Sequence, residues 1–143
     1  MLTVVEKVIF LQNVDVFSEV ATEELALVAA IVEEHRAAVG EVVYKEKDPS
    51  DSMYFVVTGK VRLDRDGKEV TSVGPNETFG TWALFDDEPR VTAATVAEDA
   101  HLLRIDKDAF IELLADNVQI TRGVLKAIVH RLRKLLARFG GGG

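Results

Sequence analysis

Hydrophobic positions along the chain change their period twice. Near the start, Val4, Val5, Val8 and Leu11 recur at helical spacing, and Leu25, Val28, Ile31 and Val32 form a second apolar stripe. Glu33, Glu34 and Arg36 read as the solvated end of that second helix, and Thr22 followed by Glu23 and Glu24 reads as its N-cap and acidic first turn. Two helices are therefore expected before residue 37. From about Gly40 the period shortens: "GEVVYKEK", "SMYFVVTGKVRL", "KEVTSV" and "VTAATVAEDAHLLRI" are brief, rich in Val, Thr, Tyr and Phe, and separated by Asp-Pro, Asp-Gly and Gly-Pro signals. Asp66-Gly67 is the clearest tight hairpin turn. After Asp106 the helical period returns, first in "KDAFIELLA" and then over a longer stretch from near Asn117. This order predicts an α+β domain: helices over 1–37, a compact antiparallel β structure (barrel, sandwich or roll) over 38–106, and helices over 107–139.

In the last helix, Val118, Thr121, Leu125, Ile128, Leu132, Leu135 and Phe139 alternate spacings of three and four, an a/d seam. Such a seam serves as packing against the chain's own β domain, as a ligand lid, or as a homodimer contact. The glycines at 140–143 read as a flexible tail.

Composition narrows the chemistry. A length of 143 residues, 48% of them hydrophobic and 29% charged, suits one domain with a single core of ordinary size. Cysteine is absent, so disulfides, thiolate metal sites and a cysteine nucleophile are excluded. No apolar run approaches the roughly 20 residues of a membrane span and no export signal opens the chain, which leads to the expectation of a cytoplasmic protein. The net charge is −7, yet residues 117–143 hold six Lys/Arg and no acid, leaving 11 basic against 24 acidic residues, a balance of −13, in the body. That body repels nucleic acid, and the basic residues of the tail read as a solvated helix face. His35, His101 and His130 are expected at a helix end, in a strand and in the final helix, without the clustered spacing of metal ligands. No nucleophile, base and acid stand together either, so an enzyme is not expected.

One stretch carries candidate chemistry: "FGTWALFDDEPRVTAATV", Phe79 to Val96. After Gly80, "TWALF" has room for only a short helical turn before three acids and Pro89, so backbone N–H groups near its start lack intrahelical acceptors and attract anions. Arg90 follows ten residues after Gly80, with a planar fork of donors suited to phosphate or carboxylate. An oxyanion cradle is one reading. The other is a surface ion pair between Arg90 and Asp86, Asp87 or Glu88, worth about 0–1 kcal/mol.

Over roughly residues 10 to 138 the chain resembles the cyclic-nucleotide-binding domain family of bacterial catabolite activators, kinase regulatory subunits and cyclic-nucleotide-gated channels. "GEVVYKEKDPSDSMYFVVTGKVRL" is similar to that family's opening strands, "VGPNETFGTWALFDDEPR" to its phosphate-binding cassette, and "LLRIDKDAF" to its exit into the final helices. The resemblance implies an eight-stranded β-roll flanked by helices. It further implies that Arg90 holds the cyclic phosphate beside the backbone of Gly80, Trp82 and Ala83. Phe79, Thr81, Val91 and Thr92 complete the expected cassette, Val57 and Val70 are the expected purine-facing residues of the roll, and Leu132, Leu135 or Leu136 is the expected lid. The implied ligand is a cyclic nucleotide, cyclic AMP ahead of cyclic GMP, with no cofactor, no metal and no catalytic residue.

Departures from the family pattern bear on affinity. The glutamate that the family places after the cassette glycine to bind the ribose 2′-hydroxyl is Thr81 here, which corresponds to a roughly ten- to hundredfold loss. The small or hydroxylated residue after the arginine is Val91, and Thr92, if in a strand, faces the other way. Lys47, Ser50 and Asn76 occupy positions where turn glycines are usual. The reading is a non-catalytic regulatory domain that signals through its C-terminal helix. Its alternative is a degenerate domain of the same fold acting in interaction or dimerisation. No DNA-reading helix-turn-helix follows the long helix within these residues, so no nucleic-acid partner is expected, and attachment to a membrane or scaffold protein stays open.

Overall fold

Local capping starts the fold. In the computed structural model, which describes residues 1–140, α1 (Val4–Leu11) is closed by a capping box: Thr3 Oγ1 accepts from the Glu6 N–H at 3.1 Å and Glu6 accepts from the Thr3 N–H at 3.0 Å. Val8 and Leu11 turn inward, whereas Val4 and Val5 are exposed. A 3-10 turn at Asp15–Phe17 adds Val16 and Phe17 to the same cluster. α2 (Thr22–Ala29) places Glu23 and Glu24 in its first turn, but Ala21 is its N-cap and Thr22 its first helical residue.

The second helix stops at Ala29, and the residues expected as its solvated end become β1 (Val32–Ala37). β1 runs antiparallel to β6 (Ala93–Asp106), with Val32 opposite Ile105 and Ala37 opposite Ala100. Glu33, Glu34 and Arg36 favour a helix locally, but these charges are also what the outer side of an edge strand carries, and pairing with a strand distant in sequence overrides a propensity of tenths of a kcal/mol. His35 therefore lies in a strand, and the helical N-terminal segment ends near 29 rather than 37.

The remaining strands are β2 (Val42–Tyr44), β3 (Ser52–Arg65), β4 (Lys68–Val73) and β5 (Thr78–Phe79). All pairings are antiparallel, in the order β1-β6-β3-β4, with β2 on β6 and β5 on β3. Among the described residues six strands stand where eight were expected. β3 and β6, each 14 residues long, pair along most of their length, with register breaks between Val56 and Val61. Gly59 sits at that break with φ +94°, where a Cβ would overlap the backbone of Asp99 and Ala100. Bending at the break lets each long strand serve two parts of the roll. The Asp66-Gly67 turn joins β3 to β4 with positive φ at both residues, 54° and 79°. Lys47 and Asn76 also take positive φ, 71° and 68°, so these two substituted turn positions keep a glycine-like backbone; Ser50 does not.

β3 divides the interior. Met53 and Phe55 join the helical cluster around Phe17, Leu25, Val28, Phe110 and Ile120, while Tyr54 and Val56 join the roll cluster with Tyr44, Phe79, Val96 and Leu102. Period-two alternation of one strand thus serves two cores. α3 (Lys107–Asp116) is capped by Asp106, which accepts from the Ala109 N–H at 3.1 Å. α4 (Val118–Arg138) packs on the Asp15–Phe17 turn, α2 and α3 through Ile120, Gly123, Val124 and Ala127. Contact there is close: a Cβ on Gly123 would lie 2.9 Å from Glu19 O and Val20 Cγ2. The packed face is not the a/d seam, whose Val118, Leu125, Leu132, Leu135 and Phe139 are exposed. Among the described residues no helix is long and apolar enough to cross a membrane. Residues 141–143 of the glycine tail lie outside the described residues.

Candidate functional site

Arg90 decides between the two readings of its loop. Its side chain is 4% exposed, its Nη2 donates to Ser52 O at 2.7 Å, and its guanidinium carbon lies 4.0 Å from the centroid of the Tyr44 ring. Nη1 approaches Gly80, where a Cβ would come within 2.6 Å of it. Nε is buried without a hydrogen-bond partner among the described residues. The nearest carboxylate, Asp51 at 3.6 Å, is largely exposed and also lies 3.8 Å from Arg104. Arg90 is therefore a buried cation with its backbone fixed and its charge only partly answered.

Among the described residues, none of the neighbouring acids forms an ion pair with Arg90. Lys107 Nζ donates to Asp86 O and to the Asp87 carboxylate, and that bond holds the Asp87 carboxyl below its usual range. Asp86 Oδ1 accepts from the Glu88 N–H at 3.1 Å, and Glu88 O accepts from Ser50 Oγ at 2.6 Å. Backbone bonds complete the frame: Arg90 N–H to Asp48 O at 2.9 Å and Lys47 N–H to Arg90 O at 2.8 Å. The surface ion-pair reading of Arg90 is excluded for these three acids.

Gly80, at φ +73°, is the left-handed N-cap of a 3-10 turn, Thr81–Leu84. The turn is the short one the sequence predicts, because the side chains of Ala83 and Leu84 are buried and the chain then leaves toward Pro89. Ala83 N–H bonds Gly80 O at 3.1 Å, whereas the N–H groups of Thr81 and Trp82 have no backbone acceptor among the described residues. Of the amides expected to face an anion, that of Ala83 is thus already committed to the turn.

A cavity of about 430 Å³ opens over Arg90, lined by Tyr44, Ser50, Leu63, Gly80, Trp82, Ala83, Asp86, Glu88, Pro89, Arg90, Val91 and Thr92. Six expected site residues, Gly80, Trp82, Ala83, Arg90, Val91 and Thr92, meet in its wall. Val91 and Thr92 both line it, since they form a bend and β6 begins only at Ala93; the strand alternation expected to turn Thr92 away does not operate there. The Tyr44 hydroxyl has its pKa raised by burial, against the opposing pull of Arg90 and Thr92.

Other expected positions lie elsewhere. Phe79 is core, stacked on Tyr54 at 5.0 Å. The Thr81 hydroxyl donates to Thr78 Oγ1 at 3.2 Å and faces a separate cleft with Asp15 and Arg131. Val57 packs against the helical cluster and Val70 is exposed on β4; the apolar wall comes instead from Leu63 and Tyr44. Leu132, Leu135 and Leu136 are exposed on α4 and do not line the cavity.

Four contributors escaped the sequence reading: Tyr44 beneath Arg90, Leu63 in the apolar wall, Ser52 as the carbonyl partner of Arg90, and Arg131, whose guanidinium carbon lies 5.4 Å from the centroid of the Trp82 ring. Tyr44 had a signal in the alternation of "GEVVYKEK". A backbone carbonyl and a helix residue far along the chain had none.

A family model described as "Cyclic nucleotide-binding domain" matches residues 34–117. The CRP-like cAMP-activated global transcriptional regulator of Mycobacterium tuberculosis is 34% identical over 100 residues, covering 66% of this chain and 45% of that one. The cyclic AMP receptor protein of Thermus thermophilus is 31% identical over 127 residues, covering 85% of this chain and 55% of that one. The chain therefore spans about half the length of these bacterial relatives. Among solved structures, the N-terminal domain of a transcriptional regulator from Streptomyces coelicolor A3(2) superposes with a TM-score of 0.81 at 32% identity, covering 88% of this chain and 94% of that one.

Proposed function

The chain belongs to the cyclic nucleotide-binding domain family, of the regulatory kind, and on that premise we propose that it binds a cyclic nucleotide with the cyclic phosphate on Arg90. The observation that carries this reading is the buried Arg90 guanidinium, with an unpartnered Nε, in the wall of a cavity that also holds Gly80 and the 3-10 turn. An anion placed there would answer, through charge-assisted bonds, a charge that the fold leaves partly unanswered. Leu63, Tyr44 and Trp82 offer apolar surface for a purine. Cyclic AMP is preferred over cyclic GMP on the strength of relatives named for it. The test is calorimetry of wild type and Arg90→Ala with cyclic AMP, cyclic GMP and 5′-AMP. Cyclic AMP heat in wild type and its loss in the variant is the expected outcome; equal binding by both proteins removes Arg90 from the site.

A second reading, a weakly binding domain used for association, is favoured by one observation. Thr81 has no carboxylate and its hydroxyl proton goes to Thr78 Oγ1, so a ribose hydroxyl finds at most a neutral acceptor at that residue. Association has its own support: Leu125, Val129, Leu132, Leu135, Leu136 and Phe139 are all exposed along one side of α4, an apolar seam suited to a second copy. The two readings are compatible, since a regulatory domain can dimerise through the helix by which it signals.

A further inference from the structure

The wall of the cavity over Arg90 carries more negative charge than positive. Arg90 is the one cation among its described lining residues, and Asp86 and Glu88 bring two carboxylates. Other charges nearby are matched: Lys107 Nζ binds the Asp87 carboxylate, and Asp51 lies 3.6 Å from Arg90 and 3.8 Å from Arg104. Asp86 and Glu88 have no such match. Neither carboxylate enters an ion pair among the described residues, and Asp86 Oδ1 accepts only the Glu88 N–H, at 3.1 Å. The two acids name no ligand by themselves; the Arg90 guanidinium, 4% exposed with its Nε unpartnered, calls for an anion.

We propose that Asp86 and Glu88 are specificity-determining residues that set the charge of the ligand, admitting a phosphodiester monoanion and turning away a phosphomonoester dianion. This rests on the reading of the cavity as a nucleotide site. A first negative charge is met by the buried guanidinium, whose charge-assisted bonds outweigh the pull of two exposed carboxylates. A second negative charge finds no second cation in the wall. Coulomb energy against a fixed charge scales with the charge of the ligand, so a dianion is repelled by each carboxylate twice as strongly as a monoanion. The filter thereby separates a cyclic nucleotide from the 5′-monophosphate formed by its hydrolysis, without touching base or ribose.

Cyclic AMP is cyclic with one charge, 5′-AMP is open with two, and the methyl ester of 5′-AMP is open with one, so the set separates charge from ring closure. Affinities are measured by competition calorimetry at about pH 8, where a phosphate monoester carries close to two negative charges. The proteins are wild type, Glu88→Gln, Asp86→Asn, which keeps an acceptor for the Glu88 N–H, and Glu23→Gln on α2, an equal change of charge outside the cavity. Wild type is expected to bind the methyl ester more tightly than 5′-AMP. Each cavity variant should tighten the two monoanions by roughly twofold and 5′-AMP by roughly fourfold, the size of an exposed charge contact, and the difference should fade in high salt. Glu23→Gln should keep the wild-type ratio. No binding of any of these ligands by wild type overturns the nucleotide reading and the filter with it. Cyclic AMP binding with a methyl ester no tighter than 5′-AMP, or cavity variants whose ratio of cyclic AMP to 5′-AMP affinity matches wild type, overturns the filter alone.

Discussion

The cassette and the outer half of α4 are opposites that make the same point. Around Arg90 the fold buries a charge and leaves one of its nitrogens without a partner. Along α4 it leaves large apolar side chains in water, Leu132 at 54% exposure among them. Each arrangement is unfavourable in the isolated chain: a buried polar atom without a bond costs about 1–3 kcal/mol, and exposed apolar surface forgoes about 25 cal/mol per Å². The difference in sign identifies what each region lacks. On the proposed reading, an anion would complete the first and an apolar surface, such as a second copy, would complete the second.

The largest test separates function from stability at Arg90. Arg90→Met should weaken cyclic AMP by about a hundredfold or more, the worth of charge-assisted bonds to phosphate, while the melting temperature stays near or above that of wild type because an imperfectly paired buried cation is replaced by an apolar chain. A variant that loses stability in step with binding would make Arg90 structural. On α4, Leu132→Asp should convert a dimer to a monomer in sedimentation with the fold intact by circular dichroism; an unchanged mass removes the seam. Gly80→Ala brings a Cβ within 2.6 Å of Arg90 Nη1 at a residue with φ +73°, so it should cost about 1–3 kcal/mol in denaturant unfolding and weaken ligand as Arg90 is displaced. Thr81→Glu should tighten cyclic AMP by roughly tenfold if an acceptor for a ribose hydroxyl is what the pocket lacks. Absence of binding in both forms favours the association reading.

The smallest effect concerns acid. The Glu34 carboxyl lies below its ordinary value of 4.5, first because it accepts the Leu2 N–H at 2.8 Å and also through its 2.9 Å bond to His101. A depressed folded-state value stabilises the fold above 4.5 and loses that contribution as pH falls through the folded value. Glu34→Gln should therefore flatten the acid limb of a stability profile, read by thermal unfolding between pH 6 and about pH 3. An acid limb identical to wild type would place the effect elsewhere.

Much of the architecture was legible because its signals are local. Asp66-Gly67 names its own hairpin, "KDAFIELLA" its own helix, and Gly80 followed by an apolar turn and a proline its own short 3-10 element. β1 was not legible: Glu33 to Arg36 suit a helix end, an edge strand or a loop, and only β6, some seventy residues away, selects the strand. The site divides in the same way. Gly80, Trp82, Ala83, Arg90, Val91 and Thr92 lie close in sequence and the fold brings them together in one wall. Val57 and Val70, the expected purine-facing residues, do not line the cavity: Val57 packs against the helical cluster and β4 leaves Val70 exposed, placements that depend on strand pairing rather than local pattern.

By itself, then, the sequence determined the order of helices and strands, the turn glycines and the presence of an arginine a short loop away from free amides. Those follow from periodicity, backbone sterics and side-chain chemistry, which act over a few residues. Tertiary structure alone decided that Arg90 turns away from its acidic neighbours toward Ser52, Tyr44 and Gly80. It also decided that α4 packs through Gly123 and Ala127, leaving its leucine seam bare. Side-chain direction and the choice of a helix face depend on which surfaces arrive from distant parts of the chain, and no local pattern encodes that arrival.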